Sequence, residues 1–322
     1  MKSIKWLLVL LVFCLPTVVF GAGSKDEAYP SRNITVFIPR GAGGPTDIPH
    51  RNALEFLKPK MPPGINFVVV NRPEGTGIPA LVEGAHARPD GYTLTAYIVD
   101  AIIYHHLGLM KESVYDYRGI AAIHYEPLIL VVNKNSPFNN LREFVDYAKQ
   151  HPGEVTLGTV GAGSTLQWPL LDLERQLNLK FMQVPYNDGA AAVNVAIMGG
   201  HIVGAFNFLS NSLSQILSGD LKPLGFTDTN RSPLVPNVPT FKESLGIDLN
   251  FAAWNGVCVP KDTPDSVVNW LVDKYRTVMT TREFKEQCQK MGIPSPEIFG
   301  SDFDKFRYEQ HEALKNLVQL MQ

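Results

Sequence analysis

Between the apolar run Ile34–Ile38 and a helical pattern that begins near Asp47 lies Pro39-Arg40-Gly41-Ala42-Gly43-Gly44-Pro45-Thr46-Asp47. A glycine-rich turn from strand to helix leaves backbone N–H groups pointing at open space. Those donors, with the roughly half elementary charge at a helix N-terminus, suit a carboxylate or phosphate. Arg40 adds a charge-assisted bond to such an anion. A second stretch, Gly158-Thr159-Val160-Gly161-Ala162-Gly163-Ser164-Thr165, has the same form. There the hydroxyls of Thr159, Ser164 and Thr165 can donate to a second carboxylate. Ser164 or Thr165 can equally cap the helix expected from Leu166, and both roles can hold at once. The chemistry these turns suggest is the gripping of a small acid. Neither has the glycine spacing of a dinucleotide site, no lysine follows as a P-loop requires, and no Gly-x-Ser-x-Gly elbow occurs.

Other candidates surround these turns. Asn71–Gly77 follows a strand, and Thr76 is the expected contact there, because loops at strand carboxyl ends face the ligand crevice in open α/β sheets. Arg72 is expected to brace backbone carbonyls. Tyr97 and Asp100 are placed in the loop after the strand Tyr92–Ile98. An acid beside an anion site is unfavourable unless something positive pairs with it. Asp100 therefore points either to a ligand with an amino group or to a pairing with a protein arginine. Tyr186 and Asn187 follow a strand that ends at Pro185. His105-His106 and His124-x-Glu126 lack further ligands at metal-site spacing, so neither metal nor cofactor is expected. Trp168 and Trp254 are assigned to packing.

The elements that must position these groups alternate. Strands are expected at Ile34–Ile38, Phe67–Val70, Tyr92–Ile98, Leu128–Val132, Val155–Thr159, Phe181–Pro185, Ile202–Phe208 and Leu221–Phe226. Helices are expected at Asp47–Leu57, Ile78–Ala87, Leu141–Lys149, Leu166–Leu177 and Ala190–Met198. Such alternation means an α/β fold with mostly parallel sheets covered on both faces, in two lobes. Ser232–Pro239 is too proline-dense for regular structure. Past Pro260 the pattern turns helical, with Pro264 at a helix start and a last helix opened by Ser301.

The chain of 322 residues has 45% hydrophobic and 19% charged residues and a net charge of -2, the profile of a folded protein without a nucleic-acid partner. Lys2 and Lys5, the apolar run Trp6–Phe20 and the small residues Gly21-Ala22-Gly23 read as a secretory signal peptide over 1–23. The apolar run is short for a membrane anchor, which needs about 20 residues. Phe13 before Cys14 argues against a lipidated cysteine. Export implies an oxidising periplasm, where Cys258 and Cys288 could pair; two buried free thiols is the preferred reading.

Several phrases then occur in a fixed order: Pro39-x-x-Ala42-Gly43-Gly44-x-Thr46-Asp47, Asn71-Arg72-Pro73-x-Gly75-x-Gly77, Pro89-Asp90-Gly91-Tyr92-Thr93-Leu94, Gly161-x-Gly163-Ser164, Val184-Pro185-Tyr186 and Pro236-x-Val238-Pro239-Thr240. In this order the chain resembles the Bug family, the substrate-binding proteins of tripartite tricarboxylate transporters. The resemblance implies a two-lobe periplasmic-binding-protein fold of the type II class, with lobe one at 31–126 plus 254–322 and lobe two at 127–253. It also implies a monomer that binds a small organic acid or amino acid in the inter-lobe cleft and closes over it. The partner would be a membrane transporter or, alternatively, a sensor, and no catalysis is implied. An exported hydrolase of small acids is the remaining alternative. Three departures from the family bear on the ligand. Asn187 and Asp188 stand where a basic residue and a glycine are common. Asn207 is neutral where an acid is common and could contact ligand as a donor. Arg40 and Asp100 replace smaller or uncharged residues.

Overall fold

The computed structural model describes residues 29–321, apart from 161, 162, 187, 188, 250, 292 and 294. The signal-peptide reading of 1–23 and the candidate contact Asn187 lie outside the described residues. In chain order the elements are β1 (Ile34–Ile38), α1 (Asp47–Leu57), β2 (Phe67–Asn71), α2 (Ile78–Ala85), β3 (Thr93–Ile98), α3 (Val99–His106), β4 (Tyr117–Asn133), α4 (Leu141–Gln150), β5 (Thr156–Thr159) and α5 (Trp168–Leu177). They continue with β6 (Met182–Pro185), α6 (Ala190–Met198), β7 (Gly204–Phe208), α7 (Leu209–Leu217), β8 (Leu221–Phe226), α8 (Phe241–Leu245), β9 (Ala252–Pro260), α9 (Asp265–Met279), α10 (Arg282–Lys290) and α11 (Ser301–Met321).

The strands form one mixed sheet in the order β2-β1-β3-β9-β4-β7-β5-β6, with β8 also on β4. Its two ends are parallel, as the βα alternation requires: β1 pairs with β2 and β3, and β5 with β6 and β7. The middle is antiparallel, because β9 pairs with both β3 and β4 in that sense. β4 runs for 17 residues and changes partners along its length. Tyr117–Pro127 pairs with β9, whereas Leu128–Asn133 pairs with β7 and β8. The sheet therefore has two halves that share a strand. α1, α9 and α10 bury Leu54, Leu57, Leu271, Val278 and Phe284 on the first half. α6 buries Val193 and Ile197 on the second, where Val235 and Val238 of the irregular proline-rich segment also pack.

Three of the regions that differ from the pattern reading lie in the middle of the sheet or at the site. The pattern predicts only Leu128–Val132 of β4 as strand, because Arg118, Gly119, His124 and Glu126 interrupt the apolar run before it. β9 carries Asn255 and Gly256 at its centre and gives no strand signal, yet every residue in it is buried. α3 starts directly after β3, so Asp100 sits in the first turn of a helix and not in a loop. Val99-Asp100-Ala101-Ile102-Ile103 reads by its β-branched content as readily as a continued strand. The cysteines follow the preferred reading: Cys258 and Cys288 are free and buried. Burial pushes their thiols up to about 12 and about 11. Among the described residues, no helix is long and apolar enough to cross a membrane.

β9 can pack under α11 only because Gly256 has no side chain. A Cβ there would overlap the Phe303 ring and the Ala121 carbonyl. Gly256→Ala is expected to destabilise the fold by about 1–3 kcal/mol, the usual range for overpacking. A urea midpoint equal to that of the unmutated protein would show that this contact is not tight.

Candidate functional site

The first glycine-rich loop leaves β1 and enters α1. Gly41, Ala42 and Gly43 are exposed, and the space beside Gly41 and Gly43 is open. The loop is held from beneath by Asp47. Its buried carboxylate accepts from Gly43 N–H at 2.9 Å, Arg51 Nε at 2.8 Å and Asn71 Nδ2 at 2.8 Å. Asn71 Nδ2 also donates to Arg40 O at 3.0 Å, which ties the loop to the end of β2. Burial alone would raise the Asp47 carboxyl, but the bonds from Arg51, Gly43 and Asn71 hold it below the usual carboxylate range. Thr46 is buried and does not cap α1; its carbonyl bonds His50 Nδ1 at 2.8 Å.

Arg40 turns away from the exposed glycines. Nη1 donates to Pro39 O at 3.0 Å and Thr76 O at 2.6 Å. Nη2 donates to the Tyr104 hydroxyl at 3.3 Å and faces Asp100 Oδ2 at 3.4 Å. The Thr76 carbonyl reaches Arg40 because Gly75, Thr76 and Gly77 all have left-handed backbone, at φ of 54°, 57° and 82°. For a β-branched residue that conformation is an outlier, of the kind found where surrounding contacts over-determine the backbone. The Thr76 hydroxyl is spent locally on Gly75 O at 2.7 Å, so its carbonyl is the group presented to Arg40.

The second loop approaches the same place from the other half of the sheet. Thr165 Oγ1 lies 3.2 Å from each oxygen of Asp100. The Gly163 N–H donates to Gln167 Oε1 at 2.7 Å, and its carbonyl accepts from Trp168 Nε1 at 3.1 Å. α5 begins at Trp168 rather than Leu166, and neither Ser164 nor Thr165 caps it. The Ser164 hydroxyl is buried, with no hydrogen-bond partner among the described residues. The two loops, one per half, thus converge on a single carboxylate, with Asp100 between a guanidinium and a hydroxyl.

A second junction lies below them. A cavity of about 300 Å³ separates Gly43, Pro45 and Ile48 of the first loop and α1 from Ser210 and Asn211 of α7, with His124 on its wall. Glu126 accepts from Ser210 N at 2.6 Å, Ser210 Oγ at 3.1 Å and His124 Nε2 at 3.0 Å. Asn255 Nδ2 lies 3.4 Å from His124 Nδ1. With the amide donating to Nδ1, the ring proton sits on Nε2 and goes to Glu126.

Residues 60–322 match the tripartite tricarboxylate transporter family receptor, TctC. The chain belongs to that family. Protein BugT of Bordetella pertussis is 28% identical over 293 residues, which cover 89% of this chain and 86% of that one. The crystal structure of a TctC solute-binding protein from Polaromonas, 28% identical, superposes with a TM-score of 0.79 and covers 90% of this chain and 99% of its own. MatC from Rhodopseudomonas palustris with bound malate, 24% identical, shares the fold at a TM-score of 0.76, over 90% of this chain and all of its own (100%). The receptor's fold is therefore the two-lobe, type II periplasmic-binding-protein fold.

Within this TctC receptor, the structure brings Arg40, Thr76, Asp100 and Thr165 together and sets other candidates apart. Asp47 is an internal anchor of its loop. Tyr97 belongs to β3, is fully buried, and stacks on Trp254 at 6.1 Å with Tyr117 edge-on at 5.0 Å. Asn207 is fully buried, its amide donating to Ala190 O at 3.0 Å and Asn194 Oδ1 at 2.7 Å. Thr159 is buried at the end of β5, where its carbonyl accepts from Tyr186 N at 2.7 Å. Tyr186 packs on the second half's core. Arg72 pairs with Glu83 and covers the Phe37 ring instead of bracing carbonyls. Of the two readings of Asp100, pairing with a protein arginine is the one found. Tyr104 and Ser210 escape the sequence reading because each lies on a helix that the pattern does not predict.

The Asp47 network sets a pH dependence. A carboxyl held below its ordinary value stabilises the fold above that value, about 3.9 in an unfolded chain, and the contribution is lost as pH falls through the folded-state value. Asp47→Asn should therefore cost about 1.5–3 kcal/mol at neutral pH, the range for hydrogen bonds to a charged group. The difference from the unmutated receptor should shrink on acidification. Urea midpoints whose gap is the same at neutral and acidic pH would contradict this.

Proposed function

We propose that this receptor is exported to the periplasm and captures a small carboxylate-bearing molecule between its lobes for delivery to a tripartite membrane transporter. The lobes are taken as 31–126 with 254–322, and 127–253. One observation carries the reading: a loop from each half of the sheet reaches the same point at Asp100, so a guest there touches both. A malate-bound protein of the same fold supports a dicarboxylate of similar size. The exposed backbone N–H groups of Gly41 and Ala42 are the proposed donors from one side, since the Gly43 N–H is already given to Asp47. The Ser164 hydroxyl and Thr165 are the proposed donors from the other, with Thr76 and Gly163 around them. Among the described residues the Ser164 hydroxyl has no imidazole bonded to it, as a hydrolase nucleophile would need. This favours binding without turnover.

Arg40 and Asp100 neutralise each other across 3.4 Å, which has consequences of opposite sign for an anionic guest. Asp100→Asn frees the guanidinium and removes a like charge, so a bound dicarboxylate is expected to gain affinity. Arg40→Ala strands the Asp100 charge and should weaken binding by about tenfold or more, since close charge pairs are commonly worth over about 1.4 kcal/mol. Calorimetry on the two variants checks both signs, and equal shifts in the same direction would remove Arg40 from the site. The function itself is checked by a thermal-shift screen of organic acids at millimolar concentration. The expected result is a melting temperature that climbs with ligand excess and a stoichiometry of one. A screen in which no small acid moves the melting temperature would overturn the reading.

A further inference from the structure

Away from the cleft, three imidazoles meet where α3 ends against α11. His105 and His106 close α3, and His311 comes from α11, far later in the chain. Each ring offers one nitrogen, and the three nitrogens lie within 4.8 Å of one another. The ring centroids are 5.4, 5.5 and 4.4 Å apart. Three imidazoles on one tetrahedral ion, with metal–nitrogen distances of about 2.0–2.1 Å, place their centroids about 5 Å apart.

Two further features set this cluster apart from a chance gathering of histidines. His105 Nδ1 bonds Lys111 O at 3.1 Å, and His106 Nε2 bonds the His311 carbonyl at 3.0 Å. A carbonyl only accepts, so each ring spends its proton there and keeps a lone pair on its other nitrogen. Backbone carbonyls fix metal-binding imidazoles in this way. His311 is only 6% exposed, and its Nδ1 is buried with no hydrogen-bond partner among the described residues. A buried, unpartnered ring nitrogen is unfavourable, and a cation would satisfy it.

We propose that His105, His106 and His311 form a binding site for a late first-row divalent cation, zinc foremost. The partial exposure of His105 and His106 leaves the fourth position to water or another small ligand from solvent. Three neutral imidazoles suit zinc, copper or nickel and not magnesium or calcium, which take oxygen ligands. The ion would clamp α3 to α11 and so hold the helix whose first turn carries Asp100.

The test uses the tag-free protein, stripped with a chelator, dialysed and titrated with zinc. The expected result is one zinc per chain, a raised melting temperature, and visible absorption of tetrahedral intensity when cobalt replaces zinc. His106→Gln and His311→Asn should each weaken zinc binding at least tenfold. Should the buried His311→Asn fail to fold, the partly exposed pair His105→Gln/His106→Gln gives the same readout on a folded chain. Absence of zinc uptake at millimolar concentration, or uptake unchanged in the pair variant, overturns the proposal.

Discussion

β4 is hydrogen-bonded to both halves of the sheet, and that shared strand fixes where the two glycine-rich loops can meet. Its Tyr117–Pro127 part belongs with β9 and its Leu128–Asn133 part with β7 and β8. The change of partner at Pro127 and Leu128 is also where Glu126 accepts from Ser210, so the junction carries a buried polar clasp. Because the parallel strands at either end of the sheet hang on this middle, the loops after β1 and β5 face each other instead of opening to opposite sides. Proline at the switch suits this, as it withholds a ladder donor where pairing changes hands.

The two loops resemble each other in how they are held. In each, a glycine in left-handed backbone gives its N–H to a side chain four residues on: Gly43 to Asp47, and Gly163 to Gln167. That bond shapes the turn before any guest arrives, and it also removes one donor from each nest. The donors left for a ligand are the remaining amides and hydroxyls. Preorganisation of this kind favours affinity, because the ordering has already occurred in the folded protein.

The outer architecture is legible in the sequence and the middle is not. β1, α1, α6 and β8 lie where apolar periodicity puts them, because each is bounded by glycine, proline or a clear change of pattern. β9 and the first part of β4 are missed because glycine, alanine and polar residues such as Asn255, His124 and Glu126 interrupt their apolar residues and break any period-two signal. Within the site, Arg40 and Thr165 are legible from the loops that bear them. Their meeting at Asp100 is not, since a single chain says nothing of which charges face one another across a fold. Tyr97 and Asn207 mislead for a related reason: a polar atom on a predicted strand looks the same whether it faces a cleft or a neighbouring helix. His311 shows the limit most plainly, because its distance in sequence from His105 and His106 hides the meeting of the three rings.

The two buried sulfhydryls bear on how the chain matures. Once folded, Cys258 and Cys288 are protonated and shielded, so an oxidant finds no thiolate to attack. The unfolded chain has no such protection. That shielding is complete only once β9 and α10, which carry the two thiols, are packed in place.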